Sequence, residues 1–379
     1  MKGVMMKYSF FLVLLITLLM SAGCVNELKS NNPAWTELNS SAGWPARGGL
    51  TGVVAMPDGS IVLMGGENNG TISRFLNDVW RSTDNGVTWT QQTANATWSG
   101  RDNFPGIVST DGSIIVAGGY AIGTGGYAND TWRSTDKGVT WVQVNTNSGW
   151  SARWGHGGVA MPDGSILIMG GGVGPHGYPI PSDVWRSTDK GATWTEINSS
   201  PGWSPRRNFA TALLPDGNIV IMGGMINSSD QDSNETWKST DRGLTWTLIN
   251  TSSGWLPRRA LSDAVLPDGS IFLMGGRYTL KNIYLNDTWK STDEGATWSL
   301  VNVSSGWNER YSQHSMAMPD GSIILLGGMN DDTNYRNDTW RLQPMGFSRF
   351  PLNFQKNSIV VLFPVRNYLF VPAQKSFHL

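Results

Sequence analysis

Six arginines recur at one place in a repeated sequence, each three residues after a tryptophan. A guanidinium group holds a carboxylate through two parallel hydrogen bonds, so this pattern points to the recognition of acidic groups. Two roles fit it. The arginines either tie neighbouring repeats together through a carboxylate or backbone carbonyls, or they line a surface that receives an anionic ligand. Arg207 and Arg259 place a second arginine in two adjacent repeats. The six are Arg47, Arg101, Arg153, Arg206, Arg258 and Arg310.

Five aspartates recur in the phrase Ser-Thr-Asp-x-Gly-x-Thr-Trp, about 52 residues apart. Regularly spaced carboxylates resemble a set of catalytic acids. This phrase instead predicts a tight turn, in which a carboxylate accepts hydrogen bonds from its own backbone and the glycine adopts a positive φ. We therefore predict a structural role and no catalytic residue among them. They are Asp84, Asp136, Asp189, Asp241 and Asp293.

The composition argues against a metal site and against binding to nucleic acid. Cys24 is the single cysteine, so disulfides and thiolate metal sites within the chain are excluded. The four histidines lack metal-ligand spacing, and the acidic segments 228–235 and 329–334 lack the ordered spacing of a calcium loop. The formal charge is −1, with no basic run. We predict no metal, no cofactor and no nucleic-acid partner.

The N-terminus has the pattern of a targeting segment. Lys2 and Lys7 flank the start of an apolar stretch at 8–20, which is too short to span a membrane comfortably. Ser-Ala-Gly-Cys follows at 21–24 and resembles a lipoprotein signal, with cleavage before Cys24 and a lipid on its sulfur. The alternative is an ordinary secretory signal. We predict a signal at 1–23, a linker at 24–32 and an extracytoplasmic protein that touches the membrane only through its lipid.

Each repeat predicts four short strands, which would position these side chains. In 153–198, "GGVAM" precedes the turn "PDG", and "SILIMGG" is an apolar run typical of a strand buried on both faces. After a variable loop, "DVWRSTD" and "ATWTEIN" flank a hairpin turn. One such meander cannot bury both of its faces. Copies stacked around an axis can, which predicts an all-β propeller.

The repeats count to six, although the aspartate phrase is complete only five times. The segment "AWTELNSSAGWPAR" at 34–47 matches "TWTEINSSPGWSPR" at 193–206. The sequence therefore predicts a six-bladed domain over 33–342, in which the N-terminal strand supplies the missing fourth strand beside Trp340. Residues 343–379 carry no repeat pattern, and the sequence leaves the structure of that tail open.

The motifs also resemble known families. "SILIMGG", an aromatic residue before "ND-W" and the following tryptophan and arginine resemble the kelch repeat of galactose-oxidase-like propellers. The aspartate phrase resembles the Asp-box, or BNR repeat, of sialidases. This resemblance implies a propeller, and kelch domains often bind acidic peptides. The copper site of galactose oxidase needs a cysteine, but the single cysteine of this chain, Cys24, belongs to the predicted signal. The Arg-Ile-Pro motif of sialidases is absent, so neither catalytic site is complete.

The least repetitive parts of the chain are the loops between the second and third strands. They carry aromatic side chains that could contact a sugar or a peptide, with the arginines beneath them. We predict that a monomeric protein binds a protein or glycan ligand on this loop face. A glycan-active hydrolase or lyase at the channel mouth and a structural surface-layer component are the alternatives. The aromatic residues are Tyr120, Tyr127, Tyr178, Tyr278 and Tyr335.

Overall fold

The computed structural model describes residues 33–49, 52–70, 74–121, 126–174, 178–226, 231–331 and 333–343. The predicted signal at 1–23, the linker with Cys24 and the tail after residue 343 lie outside the described residues. The contacts of the chain divide it into 1–347 and 348–379, and every described residue belongs to the first unit. In the described ranges, no helix has the length and apolarity that a membrane span requires.

The described residues form antiparallel sheets and one short 3₁₀ helix, Thr279–Lys281, so the predicted all-β class is confirmed. Six of the sheets contain four successive strands of the repeat. Sheet 1 has Gly52–Ala55, Ile61–Glu67, Phe75–Ser82 and Thr90–Thr93; sheet 2 has Gly106–Val108, Ile114–Ala121, Ala128–Ser134 and Val142–Asn145. Sheet 3 has Gly157–Ala160, Ile166–Met169, Val184–Ser187 and Thr195–Asn198; sheet 4 has Ala210–Leu213, Ile219–Met222, Thr236–Ser239 and Thr247–Asn250.

Sheets 5 and 6 follow the same order, but sheet 6 takes its fourth strand from the other end of the chain. Sheet 5 has Ser262–Val265, Ile271–Tyr278, Ile283–Ser291 and Ser299–Asn302; sheet 6 has His314–Ala317, Ile323–Leu326, Thr339–Leu342 and Trp35–Asn39. Short accessory strands flank these sheets at Arg101–Asp102, Arg153–Trp154, Gly172–Val173, Arg206–Arg207, Met225–Ile226 and Gln231–Asp232. In the register of sheet 6, Trp35 lies opposite Leu342 and Glu37 lies opposite Trp340.

The first strands of the sheets lie side by side around a common axis. The first strand of each sheet contacts that of the next, and the first strand of sheet 6 contacts that of sheet 1. Along a first strand, buried residues alternate with half-buried ones, because one row of side chains faces the space at the axis. The second strands are buried on both faces, as their continuous apolar runs predict.

Tryptophans fill the space between each sheet and the connection that enters it. Each of the six tryptophans before the repeated arginines is buried, and each packs edge-to-face on a second tryptophan. This partner is the first residue of the fourth strand in sheet 6 and directly precedes the fourth strand in sheets 1 to 5. Ring centroids lie 5.9–6.3 Å apart in these pairs. The pairs are Trp44–Trp89, Trp98–Trp141, Trp150–Trp194, Trp203–Trp246, Trp255–Trp298 and Trp307–Trp35.

Candidate functional site

The six repeated arginines are buried, and each is at most 1% exposed. Arg47 illustrates the set: it donates two hydrogen bonds to the carboxylate of Asp78, at 2.7 and 2.8 Å, and another to the carbonyl oxygen of Gly65 at 2.9 Å. Each arginine thus ties an incoming connection to the second and third strands of the sheet that it enters. The pairs are Arg47–Asp78, Arg101–Asp130, Arg153–Asp183, Arg206–Glu235, Arg258–Asp287 and Arg310–Asp338.

The sequence left two roles open for these arginines. Their contacts in the structure are those of structural ion pairs, which is the first of the two. A guanidinium group that is buried and already paired with a carboxylate has no surface to offer a ligand. We therefore correct the expectation that these six arginines line the binding surface, and we leave them out of the candidate site. The predicted site arginines that remain are Arg207 and Arg259.

Two residues after each repeated arginine, the chain passes through a left-handed backbone conformation. Five hydrogen bonds join these residues in series from Gly49 to Ser312: the N–H of each residue after the first donates to the carbonyl oxygen of the one before it, at 2.5–2.8 Å. We call this series of bonded residues the girdle. Five of its members line one cavity at the axis, and Asn103 and Gly155 line a second, so the girdle lies between the two. They are Gly49, Asn103, Gly155, Asn208, Ala260 and Ser312, with φ between 50° and 86°.

Above the girdle lies a cavity of about 450 Å³, which we call the mouth cavity. Two positions of the repeat contribute most of its walls: the residue after each repeated arginine and the residue after each Gly-Gly pair. These two positions face each other in antiparallel pairing, as Asp102 does with Tyr120 and Arg259 with Arg277. The side chains from these positions that line it are Glu67, Asp102, Tyr120, Trp154, Arg207, Arg259, Arg277, Tyr311 and Met329.

Charge is unevenly distributed around the mouth cavity. Glu67 and Asp102 come from sheets 1 and 2, whereas Arg207, Arg259 and Arg277 come from sheets 4 and 5 on the opposite side. Arg74 also lines the cavity and pairs with Glu67 at 2.9 Å. Trp154 of sheet 3 and Tyr311 of sheet 6 lie between the acidic and the basic half.

Asp102 is the most deeply buried carboxyl of the mouth cavity, at 3% exposed. Burial raises its pKa well above the ordinary value, and the neighbouring charge of Glu67 raises it further, while Arg74 acts in the opposite direction. Its Oδ2 accepts a hydrogen bond from the side-chain amide of Asn103 at 2.8 Å. The mouth cavity therefore holds a carboxyl whose neutral form is favoured by its surroundings, across from a group of arginines.

The predicted tyrosines do not all meet at the cavity. Tyr120 and Tyr127 line it, and their rings contact each other with centroids 5.2 Å apart. The ring of Tyr178 lies 5.2 Å from the guanidinium of Arg207. Tyr335 is buried in an apolar cluster beside the cavity, and Tyr278 lies outside the cavity lining, at the end of its strand.

The five aspartates of the repeated Ser-Thr-Asp-x-Gly-x-Thr-Trp phrase form the contacts of a tight turn, in which the carboxylate accepts hydrogen bonds from residues of its own turn. The carboxylate of Asp84 accepts hydrogen bonds from the backbone N–H and the hydroxyl of Thr88 and from the hydroxyl of Ser82. Burial works to raise the pKa of each of these carboxyls, but the hydrogen bonds outweigh it and keep each pKa below its ordinary value. The same bonds recur at Asp136, Asp189, Asp241 and Asp293.

A second cavity of about 180 Å³ lies below the girdle. Burial raises the pKa of Asp263 in its wall to about 6, although the carboxylate accepts a hydrogen bond from the backbone of Thr211. Burial lowers the pKa of His156 to about 3, so this histidine is neutral where it packs on Trp150. Within the described ranges, no three His, Cys, Asp or Glu side chains are arranged to hold a metal ion.

Comparison with known proteins assigns the repeat. A family model described as the KLHDC2/KLHL20/DRC7 Kelch-repeats domain matches residues 23–224, more than half of the chain. The chain belongs to this kelch-repeat family. A second model, the DUF6242 beta propeller domain, matches residues 182–343. The kelch part of the predicted resemblance and the propeller fold are thereby confirmed.

Curated relatives of the chain come from two groups. A xyloglucanase of Paenibacillus sp is 25% identical over 76% of this chain and 30% of its own length. Xyloglucanase Xgh74A of Acetivibrio thermocellus is 30% identical over 50% of this chain and 24% of its own length. Human Kelch domain-containing protein 3 is 23% identical over 52% of this chain and 53% of its own length. The chain spans well under two thirds of each of these relatives.

The sequence analysis had missed five polar or aromatic residues at the two lining positions of the mouth cavity. Glu67, Asp102, Trp154, Arg277 and Tyr311 occupy the two lining positions, but each occurs there in a single repeat. A search for recurring residues therefore passes over them. The signal that could have found them is their place, directly after a repeated arginine or a Gly-Gly pair, where the surrounding sequence is constant and the residue itself changes.

Proposed function

We propose that this kelch-repeat chain is a closed, six-bladed β-propeller that binds a protein or glycan ligand in its mouth cavity. Each of the six sheets is one blade, and the strand at 35–39 closes the ring by completing the last one. The contact between the first strands of sheets 6 and 1 supports closure, as does the sixth tryptophan pair, Trp35 with Trp307.

The observation that carries the binding proposal is the contrast between fixed backbone and changing side chains at the mouth. At two positions per blade the backbone pairing repeats, while the side chains include acids, arginines and aromatic residues. Binding sites in proteins are concave, with a few convergent polar groups, and commonly measure about 300–1,000 Å³. The mouth cavity has this size and chemistry.

We further propose an extracytoplasmic location for this monomeric binding module. Its support is the N-terminal pattern, in which Lys2 and Lys7, an apolar stretch and Ser-Ala-Gly precede Cys24. Lipidation of Cys24 would hold the propeller at the outer face of the membrane. Cys24→Ser should then release the protein into the medium or leave an uncleaved precursor, and an unchanged membrane fraction would overturn this part of the proposal.

The binding proposal is tested with glycan and peptide arrays probed by the purified full chain. Arg259→Gln with Arg277→Gln should abolish the array signal and leave the melting temperature close to that of the wild type. Arg242→Gln is the control, because it removes an arginine that is ion-paired with Asp163 on the opposite face. Normal array binding by the double variant would place the ligand elsewhere, and a blank array would favour the structural surface-layer alternative.

A glycan-active enzyme is the second candidate. Two observations favour it: Asp102 has a raised pKa beside Glu67 in the mouth cavity, a pattern suited to general acid catalysis, and several relatives are named xyloglucanases. Incubation with xyloglucan should then release new reducing ends, and Asp102→Asn should stop their release. A substrate that binds and stays intact would exclude this candidate for xyloglucan.

A further inference from the structure

At the level of the second cavity, the first strands of the six sheets place one ring of residues around the axis. These positions are equivalent, because each lies opposite the residue that stands two places before a Gly-Gly pair. We call them the upper ring: Val53, Gly106, Gly158, Thr211, Asp263 and Ser315. All six line the second cavity, so each sheet contributes one residue of this ring to its wall.

Two residues further along each first strand lies a second ring, which is wholly apolar. Its six residues are half-buried, because they face the space at the axis, and none of the six lines the second cavity. We call them the lower ring: Ala55, Val108, Ala160, Leu213, Val265 and Ala317. Of the two rings, the upper one alone brings polar side chains to the axis, and Thr211, Asp263 and Ser315 follow one another there in sheets 4, 5 and 6.

Among the described residues that line the second cavity, Asp263 is the single Asp, Glu, Lys or Arg. The other titratable side chains of this wall are His156, which is neutral, and His314. Burial raises the pKa of Asp263 to about 6, and no neighbouring charge takes part in the shift. The carboxylate is therefore largely ionised at neutral pH, and the described wall offers no lysine or arginine to offset its charge. Such a group favours a cation that can enter beside it.

The two neighbouring first strands hold Asp263 in place. The backbone N–H of Thr211 donates to its carboxylate, and the hydroxyl of Ser315 donates to its backbone carbonyl oxygen at 2.9 Å. The Ser315 oxygen therefore lies beside Asp263, and it keeps lone pairs that can accept a hydrogen bond. A protonated primary amine carries three N–H donors, whereas a calcium ion takes about six to eight oxygen ligands. The few oxygens of this wall suit an ammonium group better than a metal ion.

Apolar groups form much of the remaining wall. Gly106 and Gly158, in sheets 2 and 3, bring no side chain to the upper ring, and Val53 brings an apolar one. The other apolar side chains of the wall are Phe104, Pro105, Phe209 and Leu261. A ligand with its cation at Asp263 meets these groups with the rest of its body, so a hydrocarbon stem matches the cavity.

We propose that the second cavity binds a small primary amine in its protonated form, with the ammonium group at Asp263 and Ser315 and a short hydrocarbon stem against the apolar wall. The volume of about 180 Å³ equals that of about six waters in the liquid, which leaves room for n-propylamine. This site lies on the other side of the girdle from the mouth cavity. It therefore goes beyond the binding function proposed above, and neither site depends on the other.

The test is isothermal titration calorimetry of the purified full chain with n-propylamine, at pH 8 and fixed ionic strength. Two matched compounds separate the requirements of the site: 1-propanol has the same stem without the charge, and propyltrimethylammonium keeps the charge without an N–H donor. n-Propylamine should bind at least about tenfold more tightly than either, because it alone makes charge-assisted hydrogen bonds. Equal affinity for the three compounds, or no binding of n-propylamine, would overturn the proposal. Tighter binding of potassium ions would also overturn it.

The pH dependence of n-propylamine binding identifies the carboxylate that holds it. Protonation of Asp263 competes with the amine, which itself stays protonated up to about pH 10. The dissociation constant should therefore rise about tenfold between pH 8 and pH 5. Asp263→Asn should weaken binding at pH 8 at least about tenfold and abolish this pH dependence, and its melting curve shows whether the variant is folded.

Asp216→Asn is the matched control, because it removes the same charge from an exposed turn of sheet 4. It should bind n-propylamine as the wild type does. Unchanged affinity in Asp263→Asn would overturn the proposal. A pH dependence that persists in that variant would belong to His314 and would overturn it too.

Discussion

The two faces of this propeller share one backbone repeat but use it differently. On the face that carries the "PDG" turns, the same ion pair recurs from sheet to sheet, between Asp58 and Arg81 at 2.8 Å and between Asp111 and Arg133 at 2.7 Å. Lys137 adds a link from sheet 2 to Asp58 of sheet 1. At the mouth, equivalent positions hold Glu67, Tyr120, Gly172, Met225, Arg277 and Met329.

The difference follows from what each side chain contacts. A side chain that joins a strand or a neighbouring sheet must reach an equivalent partner in each repeat, so its residue type changes little: five of the six repeated arginines pair with an aspartate and one with Glu235. A side chain that faces the mouth cavity contacts a different neighbour in each repeat, as Glu67 does with Arg74 and Arg277 with Asn282. Chemical variety is therefore confined to places where the scaffold does not depend on it, and separate variants should affect stability or binding but rarely both.

The largest expected effect comes from removing the strand at 35–39, on which the proposed closure of the ring depends. A chain that starts at Ser41 loses Trp35 from the interface with Trp307 and exposes the edge of Thr339–Leu342. Loss of a buried tryptophan costs about 3–5 kcal/mol, so this chain should melt far lower or aggregate. A chain that starts at Pro33 is the control. Equal melting temperatures for the two would refute the closed ring.

Arg258 and Arg259 are adjacent in the sequence but belong to the scaffold and the mouth, respectively. Arg258→Ala leaves Asp287 without its buried partner, which should lower the free energy of unfolding by about 3–5 kcal/mol. Arg259→Ala should change it by less than about 1 kcal/mol and affect binding instead. Urea unfolding measures both. The same buried contacts predict that Arg206→Ala with Arg258→Ala destabilises the fold, and an undiminished stability would restore the ligand-binding role that the sequence left open for these arginines.

Asp263, in the wall of the second cavity, tests whether an ionised carboxylate at that place lowers the stability of the fold. Because burial raises its folded pKa to about 6, above the ordinary value of 3.8, the folded state holds this proton more tightly. Its stabilising contribution is present at low pH and is lost as the pH rises from about 4 to about 6. Asp263→Asn should remove this dependence and be more stable at pH 8, by no more than about 3 kcal/mol. Parallel pH profiles for variant and wild type would contradict the assignment.

The smallest effects concern the girdle. Gly155 has φ +62°, and a Cβ there would lie 2.1 Å from the Oδ1 of Asn208, so Gly155→Ala should destabilise the fold by about 1–3 kcal/mol. Ala260 has φ 50°, a conformation that costs an L-residue about 1–2 kcal/mol. Ala260→Gly should therefore stabilise by up to about 1 kcal/mol. Thermal unfolding should show a lower melting temperature for Gly155→Ala and a higher one for Ala260→Gly. A shift in the same direction for both variants would mean that φ does not determine stability at these positions.

Much of the fold could be predicted because its determinants recur. The Gly-Gly pairs, the apolar second strands and the three tryptophan sets each mark the same element in successive repeats, and the structure places them as equivalent elements. The burial of Arg258 could not be predicted, because its residue type suits a ligand as well as an ion pair, and Asp287 lies 29 residues away. The mouth cavity could not be predicted because Asp102, Trp154 and Tyr311 each occur in only one repeat at their position.

The girdle also gives the mouth cavity a floor that its lining side chains do not have to build. Five of its six residues line the cavity, and backbone hydrogen bonds link the residues in series. Because these bonds join backbone groups, they do not depend on which side chain stands beside them. The side chains around the cavity can therefore change from one repeat to the next while the bonded floor beneath them stays the same.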